Sequence, residues 1–344
     1  MGSDIVSEDV MPENATVSAA TGFDLLGALP TGTTVLEASA GTGKTYAIVG
    51  LATRYVAEGI ADLSELLLVT FSRAATQELR ERTRARFAEV VEALADPESA
   101  AADNDRLIRH LAAHDVDNRR TRLRQALSDF DAATIATTHG FCQRMLDELG
   151  IAGEREPHVT VVEDVDDLTV DVVADIYLQR YGRIPPPITY AEAMVAARAA
   201  IFDQQAALAP QNADGTPAGE RVGFAQQVRA EVERRKRATG LRDFDDQLAL
   251  LHRVLSDPEH GTAACMRIRA RFDVVLVDEF QDTDPKQWEI LHRAFHGHST
   301  LVLVGDPKQA IYAFRGAEVL SYLDAVNTSD AHRELTTNWR SDAT

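Results

Sequence analysis

Two short stretches of this chain carry residue types suited to handling a nucleotide. The first, Glu37-Ala38-Ser39-Ala40-Gly41-Thr42-Gly43-Lys44-Thr45, follows an apolar run at 33–36 and precedes a helix-compatible segment at 46–58. In that strand–loop–helix setting it reads as a phosphate-binding loop. Small residues let the backbone curl so that successive N–H groups point at phosphate oxygens, and the helix N-terminus adds partial positive charge. Lys44 is expected to reach the terminal phosphates and the Thr45 hydroxyl to bind Mg²⁺. Ala38 departs from the general pattern, which has a glycine there. The second stretch, Asp278-Glu279-Phe280-Gln281-Asp282, ends the apolar run 272–277. Such a run suits a parallel strand buried on both faces, and the carboxyl ends of such strands are where open α/β sheets place ligands. Asp278 is expected to hold Mg²⁺ and Glu279 to orient and deprotonate the attacking water. Phosphoryl transfer asks for little beyond that positioning and charge.

These residues need a scaffold, and the chain supplies one. Strand-like apolar runs recur at 33–36, 66–71, 133–137, 272–277 and 300–304, with helical patterns between most of them. That alternation predicts an α/β fold with a largely parallel sheet. After the second run, Ala75, Leu79, Thr83, Phe87, Val90 and Leu94 repeat at helical spacing and mark a core-facing stripe. From about 150 to 236 strand signals weaken and Ala-rich helical stretches appear, broken by Pro185-Pro186-Pro187 and by the loop 210–217. This reads as a helical insertion, because sheet signals resume at Phe272.

At 344 residues the chain can hold two domains, and its 45% hydrophobic and 26% charged content is ordinary for a globular protein. No apolar run approaches the roughly 20 residues of a membrane span, and the polar start lacks a signal core. Cys142 and Cys265, far apart and without metal-ligand spacing, suit a reducing cytoplasm and packing roles. The net charge of −19 weighs against nucleic acid. Charge is local, however. Arg73, Arg80, Arg82, Arg84 and Arg86 share one expected helix, and Glu233-Arg234-Arg235-Lys236-Arg237 forms a second basic run. Each suits either a nucleic-acid contact or a solvated helix face.

Further stretches line up in order: Thr70-Phe71-Ser72-Arg73, Thr137-Thr138-His139-Gly140-Phe141-Cys142, Asp243-Phe244-Asp245-Asp246, the segment from Gly305 to Ala317, and Thr337-Asn338-Trp339-Arg340-Ser341. Together with the two nucleotide stretches, this series resembles the UvrD-like superfamily 1 DNA helicases, and within them the RecB-type helicase-nuclease branch, from about residue 23 to 341. The wording is closest at 37–45, 139–146, 278–285 and 305–316.

The resemblance implies a RecA-like P-loop NTPase domain with a mostly parallel sheet and an inserted all-helical subdomain. Its parts would be a disordered leader at 1–20, the motor domain at 21–149 and 237–335, the helical insertion at 150–236, and the start of a second RecA-like domain at 336–344. It implies ATP and Mg²⁺ as ligands, with Ala38, Ser39, Ala40, Gly41, Thr42, Gly43, Lys44 and Thr45 on ATP and Thr45 and Asp278 on the metal. Glu279, Gln309 and Arg340 would be catalytic, Gln309 sensing the γ-phosphate and Arg340 completing the ATP site across a cleft. Phe71, Arg73, His139, Tyr312, Phe314 and Arg315 would contact single-stranded DNA, where aromatic stacking tolerates any base. Phe141 is expected in the core. Relatives often read adenine with a Gln ahead of the phosphate loop, yet no Gln precedes Gln77 here.

The implied activity is ATP-driven 3′-to-5′ translocation and unwinding of duplex ends in break repair, beside RecC and RecD, in the cytoplasm and without a membrane. The chain stops at Thr344, so the second motor domain and the nuclease domain are expected to lie outside it, leaving this piece weakly active or inactive alone. The alternatives are a nucleotide-dependent DNA-binding module without its own turnover, or a piece of an AddA- or UvrD-type helicase.

Overall fold

The computed structural model describes residues 20–39, 41–150, 160–162, 164–202, 207–213, 215–309 and 319–335. Its strands are β1 (Thr21–Gly22), β2 (Thr33–Glu37), β3 (Leu66–Thr70), β4 (Thr134–Thr137), β5 (Thr160–Val161), β6 (Leu241–Arg242), β7 (Val274–Val277), β8 (Thr300–Gly305) and β9 (Ala331–Glu334). The first helices are α1 (Lys44–Ala57), α2 (Arg73–Ala93), α3 (Pro97–Ala101), α4 (Arg106–Ala112), α5 (Val116–Ser128) and α6 (Thr138–Leu149). They are followed by α7 (Asp166–Tyr181), α8 (Tyr190–Phe202), α9 (Pro217–Thr239), α10 (Phe244–Leu255), α11 (Gly261–Arg269), α12 (Pro285–Phe295) and α13 (Val319–Thr328).

Seven strands form one sheet in the order β1-β9-β2-β8-β7-β3-β4, and every pairing in it is parallel. The expected mostly parallel α/β sheet is therefore present. The strands read as continuous apolar runs because both faces are covered. On one face Leu36, Leu68, Leu276 and Val302 pack with Ile48, Leu51 and Tyr55 of α1 and Phe87 of α2. On the other, Val35, Leu67, Val275 and Leu303 pack with Phe141 of α6, Leu251 of α10 and Leu291 of α12. The α2 stripe lies inward, with Leu79, Thr83, Phe87, Val90 and Leu94 buried. Phe141 and Cys142 are fully buried, and burial pushes the Cys142 thiol far up.

Helices α7, α8 and α9 share a separate core of Val172, Val173, Ile176, Ala193, Ala197, Phe224, Val228 and Val232. Chain enters and leaves this helical unit beside a short parallel pair, β5 with β6. The exit is held by Lys236, near the end of α9. Its ammonium lies 3.0 Å from Glu233, 2.8 Å from Asp243 and 2.7 Å from Asp246. Only 2% of that side chain is exposed. Asp243 and Asp246 are also the reciprocal cap of α10. One buried cation thus pins the last turn of α9 to the first turn of α10.

The two basic runs are largely used inside the chain. Arg82 pairs with Glu78, Arg86 with Glu89 and Asp105, and Arg84 lies over the Phe130 ring. Arg234 and Arg235 both bind Glu231, and Lys236 points inward. Among the described residues, no helix is long and apolar enough to cross a membrane.

Candidate functional site

Because β2, β8 and β7 are neighbours, their carboxyl ends bring three loops together. After β2 the chain turns through Gly41 (φ 86°) and Gly43 (φ 85°) into α1. These left-handed conformations favour glycine, which has no Cβ to clash. Thr42 closes the turn, its N–H and hydroxyl both donating to the Ser39 carbonyl at 3.1 and 2.8 Å. Ala38, in place of the pattern's glycine, is fully buried, and its N–H donates to the Gly305 carbonyl at 2.9 Å. A methyl therefore fits where β2 meets β8. Glu37, just before the loop, has its carboxylate 3.3 Å from His332 Nε2 on β9.

The loop and the acidic strand end touch. Lys44 Nζ donates to Glu279 Oε2. Glu279 itself sits at φ 51°, a conformation that costs a residue with a side chain about 1–3 kcal/mol and clusters at functional sites. Its N–H donates to Asp278 Oδ1 at 3.0 Å. Burial, and then the neighbouring Glu279 carboxylate, push the Asp278 carboxyl up to about 6. Among the described residues, no group of three or more His, Cys, Asp or Glu could hold a metal ion. A magnesium bound by one hydroxyl, one carboxylate and substrate phosphates needs no such cage.

Gln309 ends a short 3-10 turn after β8, and its Nε2 donates to Asp306 Oδ2 at 2.6 Å. Lys44, Asp278, Glu279 and Gln309 thus gather on one edge. Ala40, Tyr312, Phe314, Arg315 and Arg340 lie outside the described residues.

The expected DNA residues that are described lie together elsewhere on the same side of the sheet. Phe71, 41% exposed, follows β3, while His139 opens α6. Both line a cleft of about 720 Å³ that also takes Phe244, Asp245 and, from the helical unit, Phe202 and Arg198. Arg73 lies over the Phe244 ring at 5.8 Å, and His139 packs against the same ring at 5.6 Å. His139 Nε2 is 3.9 Å from Asp245 Oδ1. The helix-start bond here is made by Thr137, whose hydroxyl accepts from the Gly140 N–H.

Sequence reasoning missed Gln281, Asp306 and Phe202. The first two lie within motif stretches, but their contacts depend on which strands are neighbours. Phe202 is an exposed aromatic in a helix that carries no motif.

The sequence model of the UvrD/REP helicase N-terminal domain matches residues 26–330. The chain belongs to the UvrD/REP helicase N-terminal domain family. Its fold is the one the resemblance implied, and membership of this UvrD/REP family carries nucleotide use with it. The chain is 52% identical over 325 residues to RecBCD enzyme subunit RecB of Mycolicibacterium smegmatis, covering 93% of this chain and 30% of that protein. To the RecB subunit of Mycobacterium tuberculosis it is 49% identical over 328 residues, with 93% and 30% coverage. To that of Escherichia coli it is 29% identical over 441 residues, with 90% and 37% coverage. The chain therefore spans about a third of the length of these relatives.

Proposed function

We propose that this chain is the ATP-binding motor domain of a RecB-type, cytoplasmic DNA helicase. In the intact protein it drives 3′-to-5′ movement on single-stranded DNA and opens duplex ends, with RecC and RecD as partner subunits. The observation that carries the reading is the contact of Lys44 with Glu279, which joins the phosphate loop to the paired carboxylates. Residues 21–149 and 237–335 make the motor domain, and 150–236 are its helical insertion.

In this reading the loop 38–45 cradles the phosphates with the N–H groups it does not use itself, those of Ala38 and Thr42 being held by the Gly305 and Ser39 carbonyls. Lys44 exchanges the Glu279 carboxylate for phosphate oxygens, and the released Glu279 orients and deprotonates water. Thr45 and Asp278 hold Mg²⁺, which when bound neutralises charge on the phosphates. Gln309 senses the γ-phosphate, and Arg340 of the following segment completes the site. A nucleotide-switched module without turnover would have no use for Glu279 beside Asp278.

Single-stranded DNA crosses the cleft at Phe71, Arg73 and His139 and continues to Tyr312, Phe314 and Arg315. The cleft is lined by the aromatic rings of Phe71, Phe202 and Phe244 and by carboxylates that include Asp243, Asp245, Asp282 and Asp284. That chemistry suits bases stacked inward and phosphates kept at the rim. An oligonucleotide titration tests it. Phe71→Ala should weaken single-strand binding by about 1–3 kcal/mol, the worth of one stacked base, with MgATP affinity unchanged. Unaltered oligonucleotide affinity would remove Phe71 from the track.

The metal site also has a pH signature. A carboxyl raised to about 6 loses the charge that a cation needs as pH falls through that value. An ordinary aspartate would stay charged down to about 4. MgATP affinity should therefore drop between pH 7 and 5 more steeply than in Asp278→Asn, which should be weak and keep only the slope of the nucleotide's own terminal phosphate. Equal pH slopes in the two proteins would contradict the assignment.

A further inference from the structure

A buried hydroxyl stands beside the carboxylate assigned to the metal. Thr70 ends β3 and is 1% exposed. Elsewhere, buried threonines settle their hydroxyls locally: Thr53, Thr83 and Thr169 each donate to the carbonyl four residues earlier. Among the described residues, Thr70 is the one threonine whose buried hydroxyl oxygen has no hydrogen-bond partner. Such an atom is destabilising where it stands, so its presence asks for a reason.

The sheet sets that hydroxyl next to Asp278. β3 and β7 are parallel with Val69 opposite Val277, and the Asp278 N–H continues the ladder to the Val69 carbonyl at 2.8 Å. Thr70 and Asp278 are thus the next residues along on neighbouring strands, which lie about 5 Å apart. Alternate residues of a strand share a face. Leu66 and Leu68 of β3 and Val274 and Leu276 of β7 pack into the core beneath α1. Thr70 and Asp278 therefore project to that same side, where α1 begins with Lys44 and Thr45. Asp278 Oδ1 accepts the Glu279 N–H, and among the described residues nothing donates to Oδ2. On the other side, Thr137 of β4, the register partner of Thr70, is used at the start of α6, where it accepts the Gly140 N–H. An unused donor and an unused acceptor share one face of two adjacent strands.

We propose that Thr70 is a positioning residue for the cation: its hydroxyl donates to the Asp278 carboxylate and holds it in the orientation that magnesium needs. This rests on the motor reading above, in which Thr45 and Asp278 are the metal ligands. Magnesium demands near-ideal octahedral geometry, so a carboxylate free to swivel serves it poorly. Partners one step out from a metal ligand typically carry about 10–100-fold in metal affinity.

The test measures binding of a non-hydrolysable ATP analogue to the intact protein, with saturating magnesium and with EDTA, beside the melting temperature without ligand. Thr70→Val and Thr70→Ala both remove the hydroxyl, the first keeping the branched shape. Each should weaken binding with magnesium by about 10–100-fold and leave binding in EDTA within about twofold of wild type. Thr70→Val should also melt no lower than wild type, because it deletes an unpaired buried group. Thr70→Ser should bind with magnesium within about threefold of wild type, since it keeps the donor. In an Asp278→Asn background Thr70→Val should add almost nothing, because the hydroxyl acts through the carboxylate. Wild-type binding with magnesium in both Thr70→Val and Thr70→Ala overturns the proposal. So does an equal loss with and without magnesium, which marks a structural role, or a full further loss in the Asp278→Asn background. A wild type whose analogue binding is indifferent to magnesium removes the metal site of the motor reading, and this proposal with it.

Discussion

Glu279→Gln in the intact protein should lower ATP turnover by about 10²–10⁴-fold, the usual weight of a positioned general base. Its MgATP affinity should be equal to wild type or tighter. The second half follows from the Lys44 contact. In the wild type the ammonium must leave the Glu279 carboxylate before it can serve phosphates, and a neutral amide holds it less strongly. A variant that lost only the base would bind as before. A variant that lost the site would not bind at all. Turnover and equilibrium binding, measured on the same preparation, separate these cases, and near-normal turnover would remove Glu279 from the chemistry.

Lys236→Ala should cost about 3–5 kcal/mol of stability at pH 7, because it strips the counter-charge from carboxylates that stay buried. Burial alone would lower the Lys236 ammonium, but hydrogen bonds to Asp243 and Asp246 raise it above its ordinary value. A raised lysine contributes fully below its ordinary pKa and loses its contribution only when pH climbs through the folded value. The wild-type contribution is therefore level from pH 5 to 9. Burial already holds the Asp246 carboxyl above its usual value, and the variant removes its cation, so lowering the pH should restore part of the loss as Asp246 takes up a proton. Urea unfolding at pH 5 and 7 checks both statements, and a loss under about 1 kcal/mol would mean the ion cluster is only a surface pair.

The parts of this molecule legible in its sequence are those fixed by local chemistry. Gly41 and Gly43 announce backbone that other residues resist, and Asp278 with Glu279 closes an uninterrupted apolar strand. The α2 stripe announces its own buried face. The sheet edge was not legible. β1 is two residues long and β9 reads Ala-His-Arg-Glu, so neither offers an apolar run, although β9 pairs with β2 and β1 pairs with β9. The contact of Gln281 with Asp306 was hidden for a related reason. Gln281 Oε1 accepts the Asp306 N–H because β8 lies beside β7, which brings Asp306 to a residue 25 positions away. Lys236 stands in a basic run that looks solvated, and only the capping carboxylates of the next helix turn it inward.

The most direct measurement is steady-state ATP hydrolysis by the intact protein, with and without single-stranded oligonucleotide, beside a Lys44→Ala variant. The account predicts turnover that rises with DNA in the wild type and is lost in Lys44→Ala under both conditions. Turnover indifferent to DNA, or equal in the variant, would contradict the claim that Lys44, Asp278 and Glu279 form the ATP site of a DNA-driven motor.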